Sequence, residues 1–153
     1  MAYDPLQGKP ALRLLIVEDD PLREQVLCSW LPADVRVVVA ASAGRALGIL
    51  HLDRGRAFAG IILDHDLQER PGSEADQFLS GRDVASAVIQ FVSKDVPILV
   101  HSVNALGSVA MVNNLREAGF AVTKIPMTVL TEATLRAWLQ TVRELWEEDA
   151  SSF

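Results

Sequence analysis

Four short stretches of this chain carry side chains suited to acid, base or metal chemistry: Glu18-Asp19-Asp20, Asp64-His65-Asp66, His101-Ser102-Val103-Asn104 and Thr123-Lys124. Each follows an apolar run rich in Val, Ile or Leu, so each stands where a buried strand would end. In open parallel sheets, ligands gather beyond the carboxyl ends of the strands, where the strand order reverses. Brought onto one such rim, Glu18, Asp19 and Asp64 would repel one another unless a hard cation took up their charge. Mg²⁺ suits the site because it takes a few carboxylates and leaves its other positions to water and phosphate oxygens. With a hydroxyl at Ser102 and an ammonium at Lys124 on the same rim, a bound divalent ion is the economical explanation of the cluster. Taken singly, an acidic residue after a strand caps a helix or faces water. The metal reading rests on Glu18, Asp19 and Asp64 jointly, on two separated strands.

The elements that must position these groups alternate along the chain. Strands are predicted at Leu12 to Glu18, Val35 to Ala40, Phe58 to Asp64, Val96 to Ser102 and Phe120 to Lys124. Between and after them the apolar spacing widens to helical periods at Pro21 to Leu31, Ser42 to Leu52, Gly81 to Ser93, Ala105 to Ala118 and Thr131 to Glu148. Pro21 suits a first helical position and Ser42 an N-cap. In the last helix Leu135, Trp138, Leu139, Val142, Leu145 and Trp146 recur at offsets of three and four, one apolar stripe for packing on a sheet. Alternating strands and helices call for a parallel sheet covered on both faces. The long connection from Gln68 to Ser80, broken by Pro71 and Gly72, follows directly on Asp64-His65-Asp66, and loops of that length are usually functional or mobile. One domain over residues 12–148 is expected, with tails at 1–11 and 149–153.

Composition narrows the function classes. The 153 residues are 50% hydrophobic and 22% charged, which fits one domain with a proper core. Lys and Arg number 14 against 20 Asp and Glu, a formal charge of -6, and no segment gathers the basic residues. A groove that works by neutralising phosphates of nucleic acid is therefore not expected. No apolar run reaches the ~18 residues of a membrane span and the opening residues are polar, so a cytoplasmic protein is expected. The single cysteine, Cys28, reads as a small buried thiol. A dinucleotide site fits poorly, since the first strand runs into three acidic residues instead of a glycine-rich turn.

The stretches Leu15-Ile16-Val17-Glu18-Asp19-Asp20-Pro21, Ile61-Ile62-Leu63-Asp64 and Pro97-Ile98-Leu99-Val100-His101-Ser102, together with Lys124, resemble the receiver domain of two-component response regulators over about Leu12 to Trp146. The resemblance implies a flavodoxin-like α/β fold with a five-stranded parallel sheet of order 2-1-3-4-5 and five helices. It implies that Glu18, Asp19 and Asp64 hold Mg²⁺ together with the backbone carbonyl of Asp66. It further implies that Asp64 is the phosphoryl-accepting nucleophile, that Ser102 binds a phosphoryl oxygen and that Lys124 pairs with the phosphoryl group. The implied partners are a histidine kinase or small phosphodonor and a separate effector protein, since no output domain follows in these residues; a homodimer is a further possibility.

The chain departs from that family at several places. The aromatic usual three residues before the lysine is replaced by Ala121, with Phe120 one step earlier, and Ile125 stands between Lys124 and Pro126 where proline ordinarily follows at once. Histidines flank the site. If Asp64 and Ser102 share one side-chain parity on neighbouring strands, His65 and His101 share the other and face each other. With His65-Asp66-Leu67, His101-Ser102-Val103-Asn104 and Gly107, the chain is also similar to a narrower group, the cyclic-phosphate-processing receiver-like domains. That similarity implies a metal-assisted phosphodiesterase in which His65 and His101 exchange protons with water and leaving group, while Asn104 and the backbone near Gly107 hold phosphate oxygens. Two activities therefore remain open from the sequence, phosphoryl acceptance at Asp64 in a phosphorelay and hydrolysis of a cyclic phosphate.

Overall fold

A computed structural model describes residues 3–4, 9–10, 12–53, 58–66, 80–103 and 108–151. The main sheet has five parallel strands, β1 (Leu12–Val17), β2 (Val35–Ala40), β3 (Gly60–Asp64), β4 (Ile98–Ser102) and β5 (Val122–Pro126), in the order β2-β1-β3-β4-β5. This is the expected 2-1-3-4-5 arrangement. The helices are α1 (Pro21–Trp30), α2 (Ala43–Asp53), α3 (Gly81–Phe91), α4 (Val109–Glu117) and α5 (Glu132–Ser151). Two differences concern the expected tails. Residues Tyr3–Asp4 and Lys9–Pro10 pair as a two-residue antiparallel ladder, and α5 continues to Ser151.

The sheet is buried on both faces, which is why its central strands read as unbroken apolar runs. On one face Leu15, Val17, Ile61, Leu63, Ile98 and Val100 pack under α2, α3 and α4. On the other, Leu14, Ile16, Ile62 and Leu99 pack with Leu27 of α1 and with Leu135, Trp138, Leu139 and Val142 of α5, the expected stripe. Trp146 packs partly buried at the end of that stripe, and Cys28 of α1 is half-buried against the same cluster. Gly60 lets α5 approach β3, since a Cβ there would meet Trp138 Cη2 at 2.9 Å. Outside the core, Arg143 forms a two-pronged ion pair with Asp34 at 2.8 Å per contact, tying α5 to the start of β2.

The helix starts place the acidic stretches. Asp20 caps α1, its carboxylate accepting from Leu22 N–H at 2.9 Å and Arg23 N–H at 3.4 Å, with Pro21 in the first turn. Ser42 accepts from Arg45 N–H at the start of α2. Ser80 and Asp83 form a capping box at α3. Among the described residues no helix is long and apolar enough to cross a membrane.

Candidate metal and phosphoryl site

The register of the sheet decides which groups share a face. Asp64 pairs with His101 across β3 and β4, and His101 pairs with Ile125 across β4 and β5. Val17 pairs with Leu63, so Glu18, one residue on, continues the same row beside Asp64. Glu18, Asp64, His101 and Ile125 thus form one row across the carboxyl edge of four strands. Alternation puts their side chains on the α1/α5 face, the face of Ile62 and Leu99.

Within that row Glu18, Asp64 and His101 each bring a ligating atom within 4.8 Å of the other two. All three side chains are 0% exposed. Each carboxylate divides its oxygens between two tasks. Glu18 Oε1 accepts from Asp20 N–H at 3.1 Å, and Asp64 Oδ1 accepts from Asp66 N–H at 2.8 Å, the acid holding the amide two residues later. Glu18 Oε2, Asp64 Oδ2 and Asp19 Oδ2 are buried with no hydrogen-bond donor among the described residues. His101 Nε2 stands 3.2 Å from Glu18 Oε2 but out of alignment for a hydrogen bond, and neither ring nitrogen makes one among the described residues. Buried oxygens held by backbone amides on one side and bare on the other fit a cation.

Arg23 supplies the positive charge. From the first turn of α1 its Nε lies 3.1 Å from Glu18 Oε1, and its Nη2 lies 3.9 Å from Asp19 Oδ1 and 3.8 Å from Asp64 Oδ2. Sequence reasoning missed this residue. Its signal was present, because Asp19 and Arg23 are four apart at a helix start, a spacing that brings opposite charges together.

Burial controls the protonation of the row. Loss of solvent pushes Asp64 up to about 8, helped by the charge of Glu18 and opposed by the Asp66 amide and Arg23. Glu18 is pushed up to about 7 by the same loss of solvent, against the Asp20 amide and Arg23. His101 is driven down to about 4, first by burial and then by Arg23, so at neutral pH it is uncharged and its ring offers a lone pair.

The remaining sequence candidates lie elsewhere. Lys124 pairs with Val100 and has the parity of Val122, which packs on the α2 to α4 side, so it lies on the face opposite Asp64. Strand parity thus gives the expected pairing of Lys124 with a phosphoryl group on Asp64 no support. Ile125 holds the place in the Asp64 row, and its neighbours in the strand take the other face.

The facing histidines are corrected by the same argument. Asp64 shares parity with His101 and not with Ser102, so His65 points to the other side. There it lines a cavity of about 180 Å³ with Arg82, Ser86, Met111 and Asn114, its Nδ1 3.3 Å from Asp66 Oδ1. The Asp66 side chain accepts from Val103 N–H at 2.8 Å and from Ser102 Oγ at 3.2 Å, bracing the ends of β3 and β4. Asn104, Gly107 and residues 67–79 of the long loop lie outside the described residues.

No family model matches the chain, and no curated protein matches it. Solved structures do. A signal receiver domain from Vibrio parahaemolyticus shares 18% identity at a TM-score of 0.67, covering 93% of this chain and 98% of that one. The N-terminal domain of a response regulator/sensory box/GGDEF three-domain protein from Carboxydothermus hydrogenoformans shares 20% identity at a TM-score of 0.63, covering 90% and 98%. The response regulator domain of Thermotoga maritima CheB shares 16% at 0.61, covering 88% and 96%. The strand order, the five helices and these similarities together establish that the chain has the fold of response regulator receiver domains.

Proposed function

We propose that the protein is a receiver domain of a phosphorelay, accepting a phosphoryl group on Asp64 with the help of a divalent cation. The observation that carries this reading is the position of Asp64. It lies at the carboxyl end of the central strand, one oxygen held by the Asp66 amide and the other turned toward Glu18, Asp19 and Arg23 with no hydrogen-bond donor of its own.

In the reaction the Asp64 carboxylate attacks phosphorus, the bond to the donor's leaving group breaks (P–N in a phosphohistidine, P–O in an acyl phosphate), and an acyl phosphate forms on Asp64. Asp64 must be ionised to do this. Burial opposes ionisation, so the reaction depends on positive charge beside Asp64. Arg23 supplies part of that charge. A divalent cation, for which Mg²⁺ is the expected ion, would be held by Glu18, Asp19 and Asp64 and would both ionise the nucleophile and offset charge on the transferring oxygens. Asp66 orients Asp64 through its amide, while Ser102, on the other side of the sheet edge, donates to the Asp66 carboxylate and braces it. A histidine kinase or a small acyl phosphate is the donor in this reading, and a separate effector reads the result.

The alternative, hydrolysis of a cyclic phosphate by a His65 and His101 acid-base pair, is disfavoured by the register. The two rings lie on opposite faces of the sheet, and His101 is held uncharged. Intact-mass spectrometry after incubation with acetyl phosphate, with and without Mg²⁺, tests the proposal. One phosphoryl group should be gained only with the cation, and none by Asp64→Asn. Uptake by Asp64→Asn overturns the assignment, and loss of cyclic-phosphate turnover in both His65→Ala and His101→Ala would turn the reading to hydrolysis.

A further inference from the structure

We infer that His101 is itself a metal ligand, so that Glu18, Asp64 and His101 form a two-carboxylate, one-imidazole site selective for a first-row transition dication over Mg²⁺. The inference deepens the proposed function and rests on its premise that the rim holds a cation, but not on phosphoryl transfer. It is carried by the buried imidazole. His101 is 0% exposed, stands in the same row as the two carboxylates, and has neither ring nitrogen satisfied among the described residues. Burying a polar ring unsatisfied is costly, and ligation removes that cost.

The geometry suits one ion. Glu18 Oε2 and His101 Nε2 lie 3.2 Å apart, close to the spacing of two ligands on an ion with bonds of about 2.0–2.2 Å. Asp64 contributes an oxygen within the same 4.8 Å. Both carboxylates are oriented from behind, by the amides of Asp20 and Asp66 on their other oxygens. The backbone that carries the ring is fixed as well, because the His101 carbonyl accepts from His65 N–H at 3.0 Å and holds the end of β4 in register. Arg23 engages Glu18 through Oε1, leaving Oε2 to the ion. Imidazole suits Zn²⁺, Co²⁺ and their neighbours, whereas Mg²⁺ takes oxygen ligands almost alone.

The test uses the full chain. Loaded with Mn²⁺, the protein should show in pulsed electron paramagnetic resonance the coupling of one directly bound ¹⁴N. His101→Leu should abolish the coupling, while His65→Ala and His51→Ala keep it. Calorimetry should show Zn²⁺ affinity falling by about ten- to a hundredfold in His101→Leu while Mg²⁺ affinity changes by less than about threefold. Absence of ¹⁴N coupling in the unsubstituted protein overturns the inference, and this spectrum decides even if His101→Leu fails to fold. Equal losses for Zn²⁺ and Mg²⁺ overturn it too. Phosphoryl uptake on Asp64 without ¹⁴N coupling overturns the imidazole ligand alone, and coupling without uptake overturns phosphoryl acceptance alone.

Discussion

The two sides of the sheet's carboxyl edge treat polar groups in opposite ways. On the α2 to α4 side, Asp66 accepts from Ser102 and Val103 and lies beside partly exposed His65, so the groups there satisfy one another. On the α1/α5 side, Glu18, Asp19, Asp64 and His101 are packed together, and each has a buried atom without a hydrogen-bond partner among the described residues. The first arrangement braces two strand ends. The second stores charge repulsion that Arg23 relieves in part, and that a bound cation would relieve further. A polar cluster that satisfies itself gains little from a ligand, whereas one that cannot is built to receive one.

The sharpest way to break this contrast is to remove Arg23. In the metal-free protein Arg23→Ala should cost about 3 kcal/mol at pH 8, because buried carboxylates lose their partner. Saturating divalent cation should restore most of it. Urea unfolding with and without the cation measures both, and a loss that no cation repairs would mean that Arg23 acts by packing.

On the opposite side, a packing change should be indifferent to metal. A Cβ at Gly81 would meet Met111 Cε at 2.8 Å and the His65 carbonyl oxygen at 3.1 Å. Of these only the Met111 methyl can move easily, so Gly81→Ala should cost about 1–3 kcal/mol with or without cation. A cost that depends on the ion would couple the two sides.

Within the α1/α5 side, pH dependence separates the carboxyls from the imidazole by sign. Glu18 and Asp64 bind protons more tightly folded than unfolded, so their contribution is full below the ordinary carboxyl range and is lost as pH rises through about 7 and about 8. His101 runs the other way, losing its contribution as pH falls from 6.5 toward about 4. Between pH 6.5 and 8, therefore, only the carboxyls act. The metal-free protein should lose about 1–2 kcal/mol there, a fall in Tm of about 3–8 °C. Asp64→Asn should flatten the fall, and a Tm that rises over this window would contradict the buried-acid description. The smallest effect belongs to Lys124. Lys124→Met should leave phosphoryl uptake by Asp64 within about twofold, since strand alternation puts its side chain on the other face; a tenfold loss in the mass assay would show that it reaches the site.

Much of the fold was legible because strands buried on both faces must be apolar throughout. Leu12-Arg13-Leu14-Leu15-Ile16-Val17 and Ile98-Leu99-Val100 announce themselves, and the α5 stripe follows from helical spacing alone. The carboxylates of the site were legible for the same reason, since acids that end apolar runs must stand at strand ends. Arg23 was harder to see, because its role depends on α1 starting at Pro21 and turning its first-turn side chain back over the strand ends.

The sequence by itself determined the order of elements, the strand ends and the set of groups available to the site. Only the tertiary structure decided which of those groups meet. Side chains alternate along a strand with a period of two, so parity within a strand can be read from the chain, but parity between strands depends on register. Register is set by which strand faces are buried together across the sheet. It placed His101 and not Ser102 beside Asp64, and put Ile125, not Lys124, in the same row.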